Sequence, residues 1–202
     1  PKDGPGKLET DTLTAGRVFT CQGWTANTYI CHNKVRRAGI PNTNAGEIIM
    51  YENVAYLYDG KVDTSTDTTT TVTKSDKNQM GVGAVISIVG GKGRGQYRVI
   101  TKKLKSTVTV DRPWDIVPDS TSHVIVNKAF INAFVCYNEL DGHANWNEVP
   151  GATTGLQAYG AIHNMFYCNN KVKNTSTGMD ITPFYYKDIT GTQESNARCV
   201  IA

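Results

Sequence analysis

Three stretches of this 202-residue chain repeat one template, and that repeat limits the folds open to it. Tyr29-Ile30-Cys31-His32-Asn33-Lys34-Val35, Phe134-Val135-Cys136-Tyr137-Asn138-Glu139-Leu140 and Phe166-Tyr167-Cys168-Asn169-Asn170-Lys171-Val172 all read aromatic, x, Cys, x, Asn, x, aliphatic. The shared residues fall on alternate positions, so in a strand they point to one side. Cys136 and Cys168 are 32 residues apart, and Cys199 follows Cys168 by 31. A unit returning at such a period is the mark of a coil in a solenoid.

The four cysteines at or near the repeat position are expected to stack one above another inside such a solenoid. Cys is small and readily buried, and the total of 5 is odd, so free thiols are expected rather than a disulfide framework. No CxxC or His pair has zinc-ligand spacing, and no aspartate cluster has calcium-site spacing. Neither a metal nor a cofactor is expected. Asn33, Asn138 and Asn170 share one register; Asn tolerates left-handed backbone angles, and stacked amides bond along the axis.

Composition supports an all-β reading. The chain holds 19 Gly and 7 Pro, is rich in Thr and Asn, and offers β-branched runs between turn residues rather than long amphipathic helices. Its formal charge of +3 gives no whole-molecule field pointing to nucleic acid. No apolar run approaches a membrane span and no signal peptide is visible. The chain opens at Pro1 and stops in a strand-like Arg198-Cys199-Val200-Ile201-Ala202, so it reads as a piece of a longer solenoid, with further coils of the same protein as partners.

No copy of the template occurs between Val35 and Phe134. Residues 62–125 are therefore expected to form an inserted antiparallel β-meander, with coils over 1–61 and 126–202. Within the gap, 61–80 looks like a solvated excursion with an optional edge strand at Thr68–Thr73. Val82–Val89, Gln96–Thr101 and Thr107–Asp111 read as strands around the flexible Gly90–Gly95 turn. Trp114 is expected to anchor the insertion on the coils, or to offer a sugar-stacking platform.

Two features carry a resemblance: the repeated Cys-x-Asn-x-aliphatic strand, and the string Gly91-Lys92-Gly93-Arg94-Gly95-Gln96-Tyr97-Arg98-Val99-Ile100 followed by Thr107–Ser122. With them the chain resembles right-handed parallel β-helix proteins of the pectin-lyase-like superfamily, in particular secreted and surface bacterial proteins with a β-hairpin insertion. The resemblance implies a right-handed parallel β-helix and an extracellular or cell-surface place of action. The superfamily includes polysaccharide lyases, glycoside hydrolases, epimerases, esterases and phage tailspikes, so the resemblance implies a fold more than a chemistry.

The leading functional expectation is recognition or processing of a polysaccharide or other glycan on the β-helix surface, of glycoside hydrolase or lyase type if catalytic. The competing expectation is a non-catalytic structural or adhesive segment of a cell-surface or phage tail protein. Sugar-cleaving chemistry commonly uses two carboxylates. Glu47 and Glu52 flank an apolar run, where the resemblance also implies two acids. Their alternative is a pair of solvated rim acids, since residues five apart in a strand face opposite sides. His163 is the candidate base, on an outer groove shared with Tyr159, Tyr137 and Asp180. Glu139, His143, Trp146 and Glu148 bracket a loop with the acids, imidazole and indole of a sugar subsite, a mixture that also suits any exposed loop. The cations Lys92, Arg94, Arg98, Lys102, Lys103 and Lys105 leave open a weaker third idea, anion binding by the hairpin.

Overall fold

The structure is a computed structural model that describes residues 17–38, 46–52, 56–73, 80–144, 146–147, 153–182 and 196–201. No helix occurs among them. The strands fall into three parallel sheets and one closed antiparallel barrel.

The chain visits the parallel sheets in rotation. β1 (Phe19–Gln22), β2 (Thr25–Cys31) and β3 (Lys34–Ala38) make a first layer. β4 (Glu47–Glu52) opens a second. Six strands then intervene: β5 (Tyr56–Ser65), β6 (Thr69–Val72), β7 (Val85–Gly90), β8 (Tyr97–Leu104), β9 (Thr107–Val110) and β10 (His123–Asn127). β11 (Phe130–Cys136) and β12 (Glu139–Gly142) complete the second layer. β13 (Thr154–Tyr159), β14 (Ile162–Cys168) and β15 (Lys171–Lys173) form the third, and β16 (Thr177–Thr182) and β17 (Asn196–Ile201) belong to a fourth. The first sheet has the order β1-β4-β13-β16, the second β2-β11-β14-β17 and the third β3-β12-β15.

The repeat sets the register. Cys31, Cys136 and Cys168 are direct partners across β2, β11 and β14, as are Tyr29, Phe134 and Phe166. Cys199 breaks the pattern: β17 aligns it with Met165, three residues before the expected cysteine. The core between the sheets takes the residue between the template's aromatic and Cys positions, together with the template's own aliphatic position. Ile30, Val135 and Tyr167 join Ile49, Tyr51, Phe130, Leu140, Leu156 and Met165 there, with Val172 packed against them. The cysteines lie on the opposite parity to Ile30, Val135 and Tyr167, so they are not the inner file expected from the sequence. Cys136 is buried, and Cys31 and Cys168 are half-buried.

The second-layer chain leaves the first sheet after β4 and returns to the second at β11, and the barrel occupies that corner. Its order is β10-β5-β6-β9-β8-β7, with β10 closing it by pairing with both β5 and β7. Asp59-Gly60, which reads as a turn, lies inside β5 opposite Ile125 and Val124. The Thr-rich stretch after it is no solvated excursion either: Val62, Thr70 and Val72 are buried. Trp114 sits in the barrel's own core rather than at the joint with the coils. Its indole N–H donates to Thr70 Oγ1 at 3.0 Å, and the Arg98 guanidinium lies over the ring at 5.0 Å. A separate small cluster of Val85, Tyr97, Ala129 and Ala161 joins the barrel to the parallel-sheet region.

Candidate functional site

The outer face of the second sheet carries files of like side chains, because strands in register bring equivalent residues of each layer side by side. Tyr29 stacks on Phe134 with ring centroids 5.0 Å apart, and Phe134 on Phe166 at 4.8 Å, with the ring planes nearly parallel in both pairs. Tyr29 is 68% exposed. The aromatic position of the template therefore faces solvent. At the turn that follows, His32 stacks on Tyr137 at 5.1 Å. Both adopt positive φ, as does Asn169 in the third layer.

Two amide files flank the aromatic one. Asn138 is fully buried and its amide is saturated. Its Oδ1 accepts from Asn33 N at 3.0 Å and Asn33 Nδ2 at 2.9 Å. Its Nδ2 donates to Ile30 O and to Asn170 Oδ1, each at 2.8 Å. The second file is Asn27, Asn132 and Asn164, all at positive φ. Asn132 Nδ2 donates to Asn27 Oδ1 at 2.9 Å, and Asn164 Nδ2 to Asn132 Oδ1 at 3.0 Å. The sequence reading missed this file, although its signal was present. Each copy of the template is preceded by Asn-x, so the full repeat is Asn-x-aromatic-x-Cys-x-Asn-x-aliphatic.

The barrel leans over this second amide file and forms a cleft of about 440 Å³. Asn27, Asn132 and Asn164 line one wall; Tyr97, Asp111 and Arg112 line the other. Asn164 Nδ2 donates to the Tyr97 hydroxyl at 2.7 Å, which ties the walls together. Tyr97 is held between the His163 ring, 4.1 Å away, and the Arg112 guanidinium, 5.4 Å from its centroid. Arg112 also meets Asp111 Oδ2 at 2.9 Å, while Asp111 Oδ1 accepts from Val99 N at 2.8 Å. The cleft is thus lined by planar hydrogen-bonding groups held in place by their neighbours.

The residues singled out from sequence are dispersed. Glu47 is buried and paired with Arg17 at 2.8 Å. Glu52 closes the same strand, in register with Tyr159, and Asp180 is in register with Gln157. The Tyr159 hydroxyl is pushed up mainly by burial, then by the charges of Asp180, Glu47 and Glu52. These four do share the first sheet. His163 does not join them. It lies in the second sheet, fully buried, with Nε2 3.4 Å from Ser87 Oγ of the barrel. The docked barrel seals the face that the sequence reading left as an open groove, so a polymer has no route to this imidazole. Glu139 lies in the third sheet, exposed and paired with Lys34 at 3.2 Å. His143 and Trp146 share a turn after β12, where Trp146 N donates to His143 O at 3.1 Å. Glu148 lies outside the described residues. Among the described residues no cluster of His, Cys, Asp and Glu could hold a metal ion.

No family model matches the sequence, and no curated protein matches it. A solved structure, the tailspike protein gp49 from Pseudomonas phage LKA1, is similar at a TM-score of 0.39 and 12% identity over 82% of this chain. The chain spans 29% of that protein's length.

Proposed function

We propose that the three parallel sheets are the faces of a right-handed parallel β-helix, that the barrel, residues 56–127 rather than the 62–125 expected from the sequence, is a domain inserted at one corner of it, and that the chain recognises a polysaccharide outside the cell. The observation that carries this reading is the cleft between barrel and coils. Three amides, a guanidinium and a carboxylate line it, next to an exposed aromatic file. Sugars present hydroxyl edges and apolar faces, and planar polar groups beside aromatic rings match both. The files repeat once per layer, so a polymer can lie across several layers with equivalent contacts.

Binding without cleavage is the version supported best. Glycoside hydrolysis uses two carboxyl groups roughly 5–9.5 Å apart around one bond. Asp111 is the one carboxylate among the residues lining the cleft, and both its oxygens are engaged. Glu47 and Glu139 are each held by a cation elsewhere.

A glycan array followed by calorimetry tests the proposal. Arg112→Ala is expected to weaken the best glycan about tenfold and Asn132→Ala about threefold, the scales of one hydrogen bond to a charged and to a neutral group. Reducing-end and unsaturated-product assays are expected to stay silent. A second reading, a purely structural segment of a cell-surface or tail protein, is favoured by the way the ladders satisfy themselves, amide on amide and ring on ring. An array with no hit for the folded chain would leave that reading in place.

A further inference from the structure

The outer face of the third sheet is a strongly charged surface with no part in the cleft. Its alternate residues form two rungs across the layers. Lys34, Glu139 and Lys171 are register partners in the first rung, and Asp141 pairs with Lys173 in the second, beside Arg36 of β3. Each acid sits in the central strand and is flanked by cations from both edges. Lys34 meets Glu139 at 3.2 Å and Lys173 meets Asp141 at 3.1 Å. Asn174 also donates to Asp141 Oδ1 at 2.7 Å. Arg36 and Lys171 are exposed; both attract the Glu139 carboxylate through space, without a side-chain hydrogen bond or a close ion pair among the described residues. Two strand spacings across and two residues along separate them by about 12 Å. Four cations, Lys34, Arg36, Lys171 and Lys173, against two acids, Glu139 and Asp141, give these rungs a net charge of +2.

We infer that this face binds an anionic polysaccharide, with Arg36 and Lys171 as the cations that meet its carboxylate or sulfate groups. The inference rests on the glycan reading above and adds a ligand class at a second place. The acids engage Lys34 and Lys173 and neutralise them, which leaves Arg36 and Lys171 as the two cations open to the ligand. The His32–Tyr137 stack borders the first rung and gives the polymer an apolar edge to pass over. A nucleic acid is disfavoured because these rings face each other, and stacking platforms for bases need open ring faces between the cations.

The test uses dextran sulfate and polygalacturonate as ligands, with dextran as the neutral control and an oligodeoxythymidine as the nucleic-acid control. Both polyanions are expected to bind, with affinity falling about tenfold between 50 and 250 mM NaCl through screening. The double variant Arg36→Glu, Lys171→Glu is expected to weaken them at least about tenfold. Glu139→Gln frees Lys34 and is expected to tighten them two- to threefold, roughly the scale of an exposed ion pair. A variant that merely misfolds cannot give that gain. Arg112→Ala in the cleft is expected to leave polyanion affinity within about twofold. Unchanged affinity in the double variant, equal binding of dextran, or preference for the oligonucleotide would overturn the inference. Loss of polyanion binding in Arg112→Ala would overturn it too, by moving the anion into the cleft. A neutral-glycan array without hits, beside intact and charge-sensitive polyanion binding, would sink only the cleft reading.

Discussion

The barrel and the parallel sheets are both all-β, yet they are held together in opposite ways. In the barrel, half of the six strand pairs join neighbours in sequence: β5 pairs with β6, β8 and β9 pair across Lys105-Ser106, and β7 pairs with β8 across a short glycine-rich turn. Gly91 at that turn has φ of 71°, and a Cβ there would run into the Thr121 carbonyl. The barrel's edges are closed, so no row of unpaired backbone groups is left. In the parallel sheets each strand pairs with one a whole layer away, 32 residues from Cys136 to Cys168 and 105 from Cys31 to Cys136. The barrel accounts for the larger gap. Closing a loop costs more the longer it is, and pairing within the barrel sets Tyr56 beside Asn127, which shortens the effective distance between the first two layers. The difference teaches where each region keeps its specificity. The barrel keeps it in irregular, large core residues; the coils keep it in repetition, where one residue's partner is its own equivalent in the next layer.

That contrast is broken most directly from the barrel side. Trp114→Ala is expected to destabilise by about 3–5 kcal/mol, the range for emptying a buried aromatic site. It also leaves Thr70 Oγ1, fully buried, without its indole donor. Urea unfolding with separate probes for barrel and coils checks it. A loss confined to the coils would contradict the placement of this ring in the barrel's own core.

On the coil side the matching substitution is polar. Asn138→Ala removes the acceptor of Asn33 N and the donor to Ile30 O in one step. Leaving buried backbone groups unpaired costs on the order of 1–3 kcal/mol each, so a loss of about 3 kcal/mol is expected in the coil transition. A loss under 1 kcal/mol would show that the amides carry little of the coil's stability.

Much of the fold was legible because the template is periodic. The in-register cysteines, the aromatic file and the Asn33–Asn138–Asn170 ladder all follow from one alternating string. Which side of the strand it faced was not legible. Cys, Phe and Tyr read as core residues, but Ile30, Val135 and Tyr167 between them are the ones in the core, and stacking on like neighbours keeps the template rings stable outside. The barrel was the harder part. Thr69–Val72 and Asp59-Gly60 carry weak strand signals, and closure by β10 on both β5 and β7 is a long-range fact with no local mark. The cleft was invisible for the same reason: Asp111 and Arg112 meet Asn27 and Asn132 only once the barrel has docked. His163 illustrates the cost. Its parity in the strand suggested an open groove, and docking turned that groove into an interior.

A smaller effect sharpens the account of the outer file. Phe134→Ala removes two ring stacks with little loss of core. Aromatic pairs are worth about 0.5–1.5 kcal/mol, and partial exposure places the expected loss near 1 kcal/mol. Phe134→Leu is expected to recover less than half of it, since area alone does not replace stacking. Full recovery by Leu in the same urea experiment would reduce the file to ordinary apolar contact.

The smallest expected effect concerns charge on the third sheet, and its sign is fixed by the titration. The Glu139 carboxyl is held below its ordinary range by Lys34, with Lys171 and Arg36 adding to it. Burial raises Asp141, but the Lys173 and Asn174 hydrogen bonds outweigh that and hold it low as well. A carboxyl with a lowered folded-state pKa contributes stability above its unfolded value, about 4, and loses it as pH falls through the folded value. The coil transition is therefore expected to be flat in pH from 5 to 8 and to weaken below about 4. Lys34→Met isolates the pair: its urea midpoint should lie slightly below the parent's at pH 6 and coincide with it near pH 2. A difference that persists at pH 2 would mean that Lys34 acts through the packing of its stem, and the face would then be a patch of exposed cations without the fixed geometry that the alternating rungs provide.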